Sequence, residues 1–202
     1  LIHIPLEQAT TYENDTKVIT RITNWGTPGK HPTGEIVEHI ATFGQSDTEM
    51  KMILVQNGFH LAFPPAVLAE ARKLPQTVLE KDAADRIDYR SVTTFTIDPA
   101  DAKDFDDAIS FKNLPNGNVE IGVHIADVAH YVTENSALDK EASLRGTSVY
   151  LPDRVCPMLP EEISNIICSL PPNEDKLAFS TIFEFNAQNE IKNITIAKTV
   201  IH

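Results

Sequence analysis

Between Thr96 and Ile109 the chain reads Thr-Ile-Asp-Pro-Ala-Asp-Ala-Lys-Asp-Phe-Asp-Asp-Ala-Ile, five aspartates within ten positions. Four of them, Asp98, Asp104, Asp106 and Asp107, sit where a chain turning back on itself would gather them. Like charges that close repel, and carboxylates gathered beside apolar residues are costly unless a cation stands among them. Hard oxygen donors in a small acidic pocket suit magnesium or manganese. Such a pocket is what metal-assisted phosphodiester cleavage requires, with two ions about 4 Å apart serving the attacking water, the phosphate and the leaving oxygen. On an extended backbone Asp104 and Asp106 would face one way and Asp107 the other. A bulge or turn would then be needed to bring Asp107 round.

Plainer readings compete with this one. A twelve-residue calcium loop needs Gly at its sixth position and Glu at its twelfth; counted from Asp98 these are Lys103 and Ile109, which excludes it. A solvated acidic turn, with Asp101 and Asp104 capping local backbone, stays open on spacing alone. Asp101 itself reads as a turn residue. His124 and His130 flank Asp127 among alternating apolar neighbours, and read as core or strand-edge histidines in preference to metal ligands. Glu161 and Glu162 suit a helix N-terminus.

The elements that must hold these residues are mixed. Lys17–Ile22 and Glu35–Ile40 are short β-rich runs on either side of the Gly/Pro-rich stretch 26–34, a pattern of a small barrel. Met50–Val55 is read as a further strand. On such a barrel Trp25 and Tyr12 are candidates for stacking single-stranded bases, with core or loop packing as the alternative for each. Residues 63–75 read as a helix, with Pro65 in its first turn, Val67, Leu68, Ala71 and Leu74 on one face, and Pro75 as its stop. Gln76–Arg90 is polar and reads as a linker. From Ser91 the pattern alternates: Asn116-Gly117 predicts a hairpin between Ala108–Leu114 and Val119–Ala126, and Leu177–Phe185 and Ile191–Val200 predict a second through residues 187–189. Glu161–Leu170 reads as a short helix entered from Pro160. The expected fold is α+β and β-rich: 1–62 a cold-shock or OB-like partial barrel, 63–79 a helical connector, and 80–202 the first part of a mixed α+β catalytic domain.

Composition limits the function less directly. At 202 residues with 42% hydrophobic content the chain has enough apolar material for one or two cores. No apolar run approaches spanning length, so no membrane association is expected. Cys156 and Cys168 form no CxxC or Cys/His zinc spacing and read as reduced thiols of a cytoplasmic protein. The net charge of −12 argues against a nucleic-acid partner, since phosphate binding needs a basic surface. The deficit is uneven: residues 1–79 hold 6 Lys and Arg against 8 Asp and Glu, whereas 80–202 hold 11 against 21. Bound cations would offset part of the second figure.

Beyond the aspartates the chain continues Gly122-Val-His-Ile-Ala-Asp-Val-Ala-His-Tyr-Val132, then Leu138-Asp-Lys-Glu-Ala142 and Arg145-Gly-Thr-Ser-Val-Tyr-Leu-Pro-Asp-Arg154. It goes on through Pro157-Met-Leu-Pro-Glu-Glu-Ile-Ser-Asn165 to Cys168-Ser-Leu170. This ordered series closely resembles the catalytic (RNB) domain of the ribonuclease II and ribonuclease R family over about residues 80–202, while residues 1–75 resemble its cold-shock domain more weakly. The resemblance implies a processive, hydrolytic 3′-to-5′ exoribonuclease that releases nucleoside 5′-monophosphates with magnesium, or manganese in its place. Its partner would be the 3′ end of single-stranded RNA, and no obligate protein partner is implied. The family's four active-site aspartates fall on Asp98, Asp104, Asp106 and Asp107, and its base-stacking tyrosine falls on Tyr150. Lys176 stands where an arginine is common, and Cys156 where an aliphatic residue is common. The family's domain runs on past the position of His202 and carries there a cleavage-assisting arginine, and this chain begins with Leu1. The chain alone is therefore expected to be a poor enzyme and a weak metal binder, with apolar surface that a second copy would cap. Two other classes stay open: an RNA-binding module without catalysis, and another metal-dependent phosphodiesterase.

Overall fold

The computed structural model describes residues 1–41, 46–100, 102, 104–152 and 154–202. It divides into two compact units, Leu1–Ala62 and Phe63–His202, and the protein is mixed α+β and strand-rich.

In the first unit a short helix α1 (Leu6–Ala9) precedes an antiparallel pair, β1 (Lys17–Asn24) and β2 (Thr33–Ala41). Gly26 and Gly29 take φ of 75° and 87° in the loop between them, a conformation open to glycine at little cost. The expected strand over Met50–Val55 is instead helical, inside α2 (Ser46–Gln56). A short apolar run without alternation cannot distinguish strand from helix, and tertiary burial decides here, with Leu54 buried. Gly58, at φ 83°, ends the helix as Phe59 N–H bonds back to Leu54 O and Gly58 N–H to Val55 O.

The second unit is built on one sheet. Its strands are β3 (Ile87–Asp88), β4 (Thr93–Phe95), β5 (Asp107–Asn113), β6 (Val119–Ala126), β9 (Lys176–Phe185) and β10 (Ile191–Ile201), in the order β3-β10-β9-β6-β5-β4. A separate two-stranded hairpin joins β7 (Val149–Tyr150) to β8 (Val155–Cys156). Both long hairpins close the same way. Gly117 N–H bonds to Leu114 O and Asn189 N–H to Asn186 O, with Gly117 (φ 84°) and Asn189 (φ 59°) in the left-handed region. Asn116 has no positive φ, so the Asn-Gly pair does not form the mirror-image two-residue turn; Pro115 leads a longer turn that Gly117 completes.

One face of this sheet carries the core. Ala108, Ala126, Ala178 and Ile182 pack with Tyr131 of α5 (Val128–Tyr131), Leu138 and Ala142 of α6 (Ala137–Arg145), Val67 and Ala71 of α3 (Pro65–Ala71), and Ile163 and Ile167. The opposite face leaves Phe111, Val123, Ile125, Phe179, Ile194 and Ile196 exposed.

The polar stretch 76–90 is not a solvated linker. It forms α4 (Glu80–Ala83) and β3, which pairs in parallel with β10. Both of its arginines are paired with aspartates, which composition cannot reveal. Arg86 Nη2 donates to Asp127 Oδ2 at 2.7 Å, both side chains being buried. Arg90 meets Asp88 and Asp175.

Candidate active site

The acidic loop runs from the end of β4 to the start of β5 and is held by its backbone. Phe105 N–H donates to Ser169 Oγ at 3.0 Å, and Phe105 O accepts from Leu170 N–H at 2.9 Å. Asp106 O accepts from Ala126 N–H at 3.1 Å. The clamp exists because the expected helix at 161–170 widens into a π-helix, Glu162–Ile167, in which Cys168 N–H reaches Ile163 O. Ser169 and Leu170 are thereby released from the helix to grip the residue between Asp104 and Asp106. Asp101 and Lys103 lie outside the described residues.

Asp98, Asp104 and Asp106 line one cleft of about 740 Å³, together with Tyr150, Arg154, Glu161, Ser164 and Asn165. Asp98 Oδ2 is buried there with no hydrogen-bond partner among the described residues. The carboxyl of Asp106 is held above its ordinary value by desolvation and by the charges of Asp104, Asp107 and Asp98. Asp107 is brought near enough to act on Asp106, but it is not among the residues lining the cleft. It is the first residue of β5 and pairs with Ile125, so alternation puts it on the opposite face from buried Ala108. Among the described residues no three carboxylate, histidine or cysteine side chains stand at the spacing that encloses an ion. An orphaned buried carboxylate oxygen and a carboxyl under negative charge both call for a positive partner, so this oxygen donor set fits a hard divalent cation.

Tyr150 reaches the same cleft from β7. It is 64% exposed, and its hydroxyl donates to Asp104 Oδ2 at 2.9 Å. That bond, followed by desolvation and the charges of Asp104 and Asp106, raises the pKa of the phenol. The hairpin beneath it is fixed by the pairs Val149 with Cys156 and Tyr150 with Val155, and by Leu151 N–H to Arg154 O at 2.8 Å. Arg145, buried, braces it through Pro157 O at 3.3 Å while its guanidinium lies 3.8 Å from the centre of the Phe63 ring.

The remaining polar residues divide cleanly. His124 is fully buried between Ser180 Oγ (2.7 Å) and Ser110 Oγ (2.8 Å), and His130 stands 3.7 Å from Asp82; neither lines the cleft of Asp98, Asp104 and Asp106. Glu161 does start the π-helix, yet it also lines the cleft. Arg154, Ser164 and Asn165 also line the cleft, and their one signal in the sequence is their place inside the ordered motifs 145–154 and 157–165. Cys156 and Cys168 are buried free thiols, and burial pushes the Cys168 thiol up to about 12. In the first unit Trp25 is 76% exposed in the β1–β2 loop, and Tyr12 stacks on His39 at 5.4 Å. Among the described residues no helix is long and apolar enough to cross a membrane.

Residues 86–202 match the RNB domain family and residues 1–64 the cold shock domain family. The chain belongs to the RNB family. It is 48% identical over 168 residues to ribonuclease R 1 of Lactococcus lactis, covering 83% of this chain and 21% of that protein. To ribonuclease R of Thermotoga maritima it is 44% identical over 187 residues, covering 92% and 26%. To the human exosome complex exonuclease RRP44 it is 39% identical over 202 residues, covering 100% and 21%. The chain thus spans about a fifth to a quarter of the length of these relatives. Among solved structures it is similar to Mycoplasma genitalium RNase R in complex with ribose-methylated single-stranded RNA, with a TM-score of 0.83 and 30% identity over 99% of this chain and 31% of that one. Yeast Ssd1, described as a pseudonuclease, shares the fold, with a TM-score of 0.69 and 22% identity.

Proposed function

We propose that this chain carries the acidic half of the active site of a 3′-to-5′ hydrolytic exoribonuclease, which degrades single-stranded RNA to nucleoside 5′-monophosphates. The observation that carries the reading is the convergence of Asp98, Asp104 and Asp106 on one cleft with Tyr150 at its rim, in a chain of the RNB family. Asp98 and Asp106, with Asp104, would hold the cation; Asp107 would join them if the loop turns its carboxylate toward the cleft. A divalent cation held there, magnesium with manganese as the alternative, supplies Lewis acidity toward phosphate oxygens and a water acidic enough to attack near neutral pH. The Tyr150 ring offers an exposed face on which the terminal base stacks, a sequence-tolerant contact worth about 1–3 kcal/mol. Arg154 is the basic side chain among the described residues of the cleft wall and would receive a phosphate. The binding-only alternative predicts loss of an acidic residue, and all four stand in the sequence.

The test is degradation of a 5′-labelled RNA oligonucleotide, beside DNA of the same sequence, by a protein of the relatives' length carrying this chain. Magnesium-dependent shortening from the 3′ end of the RNA is expected. Asp106→Asn should cut its rate by orders of magnitude while RNA affinity stays close to wild type, because the change removes charge and little bulk. Near-normal turnover by the variant would refute the assignment.

A further inference from the structure

Tyr150 has two chemically separate parts, and the exposed ring uses only one of them. Its hydroxyl sits 2.9 Å from Asp104 Oδ2, and each end of that bond has its own rigid support. On the tyrosine side, the β7–β8 hairpin is registered by its two strand pairs and by Met158 N–H on Ser148 Oγ at 2.9 Å, and is braced by buried Arg145. On the carboxylate side, the residue after Asp104 is bonded through both its N–H and its C=O to Ser169 and Leu170. A hydrogen bond between a neutral donor and a carboxylate, spanning two fixed elements, selects one rotamer of the carboxylate and leaves its second oxygen directed by the first.

We infer that the Tyr150 hydroxyl is a positioning group for the cation site, orienting Asp104 as a ligand, in addition to any role of the ring toward RNA. This rests on the reading of Asp98, Asp104 and Asp106 as the cation-binding carboxylates. Groups that orient a metal ligand from outside typically change affinity by about 10–100-fold when removed. The hydroxyl bears on one ligand of several, so the lower end of that range, about 10-fold, is expected. The ring of phenylalanine keeps the stacking face and the volume, so Tyr150→Phe separates the two parts.

The experiment is a direct titration with Mn²⁺, read by the loss of the free-ion electron paramagnetic resonance signal, in wild type, Tyr150→Phe and Asp106→Asn. The expected result is Mn²⁺ bound about 10-fold more weakly by Tyr150→Phe than by wild type. A Tyr150→Phe protein that binds Mn²⁺ as wild type does overturns the inference and leaves the site reading intact. If Asp106→Asn binds Mn²⁺ as well as wild type, the cation site itself is misassigned, and the positioning role falls with it.

Discussion

The buried imidazole of His124 predicts a measurable acid sensitivity. The ring is wholly inside the second unit, with both nitrogens on serine hydroxyls, and Ser180 Oγ continues the chain to Thr199 Oγ1 at 2.7 Å. The Tyr89 ring lies 5.4 Å away, and its hydroxyl is engaged by Glu120 at 2.8 Å. The hydroxyls can rotate to accept from a protonated ring, so the cost of protonation is desolvation of the charge. Burial drives the pKa from the ordinary 6.5 to about 4. The unfolded chain takes up this proton near 6.5 and the folded chain only near 4, so the unfolded state binds more protons between those values. Stability is therefore complete above about pH 6.5 and falls as the pH drops toward 4. At about 1.4 kcal/mol per pH unit the full loss is roughly 3 kcal/mol, of which about 2.5 kcal/mol is reached by pH 4.5. The carboxyl of Asp88, hydrogen-bonded by Arg90 and held at about 2, titrates below this window. Urea unfolding followed by far-ultraviolet circular dichroism at pH 7.5 and pH 4.5 tests it against His124→Gln, which keeps a donor and an acceptor but cannot titrate. Wild type should lose about 2.5 kcal/mol more than the variant over that interval. Parallel losses in the two proteins would show that the imidazole is not held neutral by the fold.

Two further outcomes follow from buried partners. Arg86→Met should destabilise the second unit by about 3–5 kcal/mol, because among the described residues it leaves the buried Asp127 carboxylate with Lys198, at 3.8 Å, as its one remaining cation; a thermal melt showing less than about 1 kcal/mol would refute it. Ser169→Ala should cost about 1–2 kcal/mol and raise hydrogen exchange at the Phe105 amide by about 10-fold or more, since it removes that donor's acceptor beneath the acidic loop; unchanged exchange would mean the loop is held by other contacts.

Much of this protein was legible in the chain. Strand alternation located β5, β6, β9 and β10, because a residue with one buried face declares its period of two whatever the rest of the fold does. The aspartate spacing left a cation site and a solvated turn both open, and the ordered motifs through Tyr150 carried the resemblance to the RNB family, which the family match bears out. Where the sequence misled, a local signal was overridden by distant partners. Met50–Val55 became helical as Leu54 found a core, and within 76–90 Arg86 and Arg90 meet Asp127 and Asp175, which lie far along the chain. The outward direction of Asp107 follows from the alternation already legible in the chain. Two features belong to the tertiary structure alone: Ser169 and Leu170 pin the acidic loop, and the Tyr150 hydroxyl meets Asp104 across 46 positions. Each is a contact between segments distant in sequence, and residue type and spacing carry no information on which atoms will face each other once the sheet has closed.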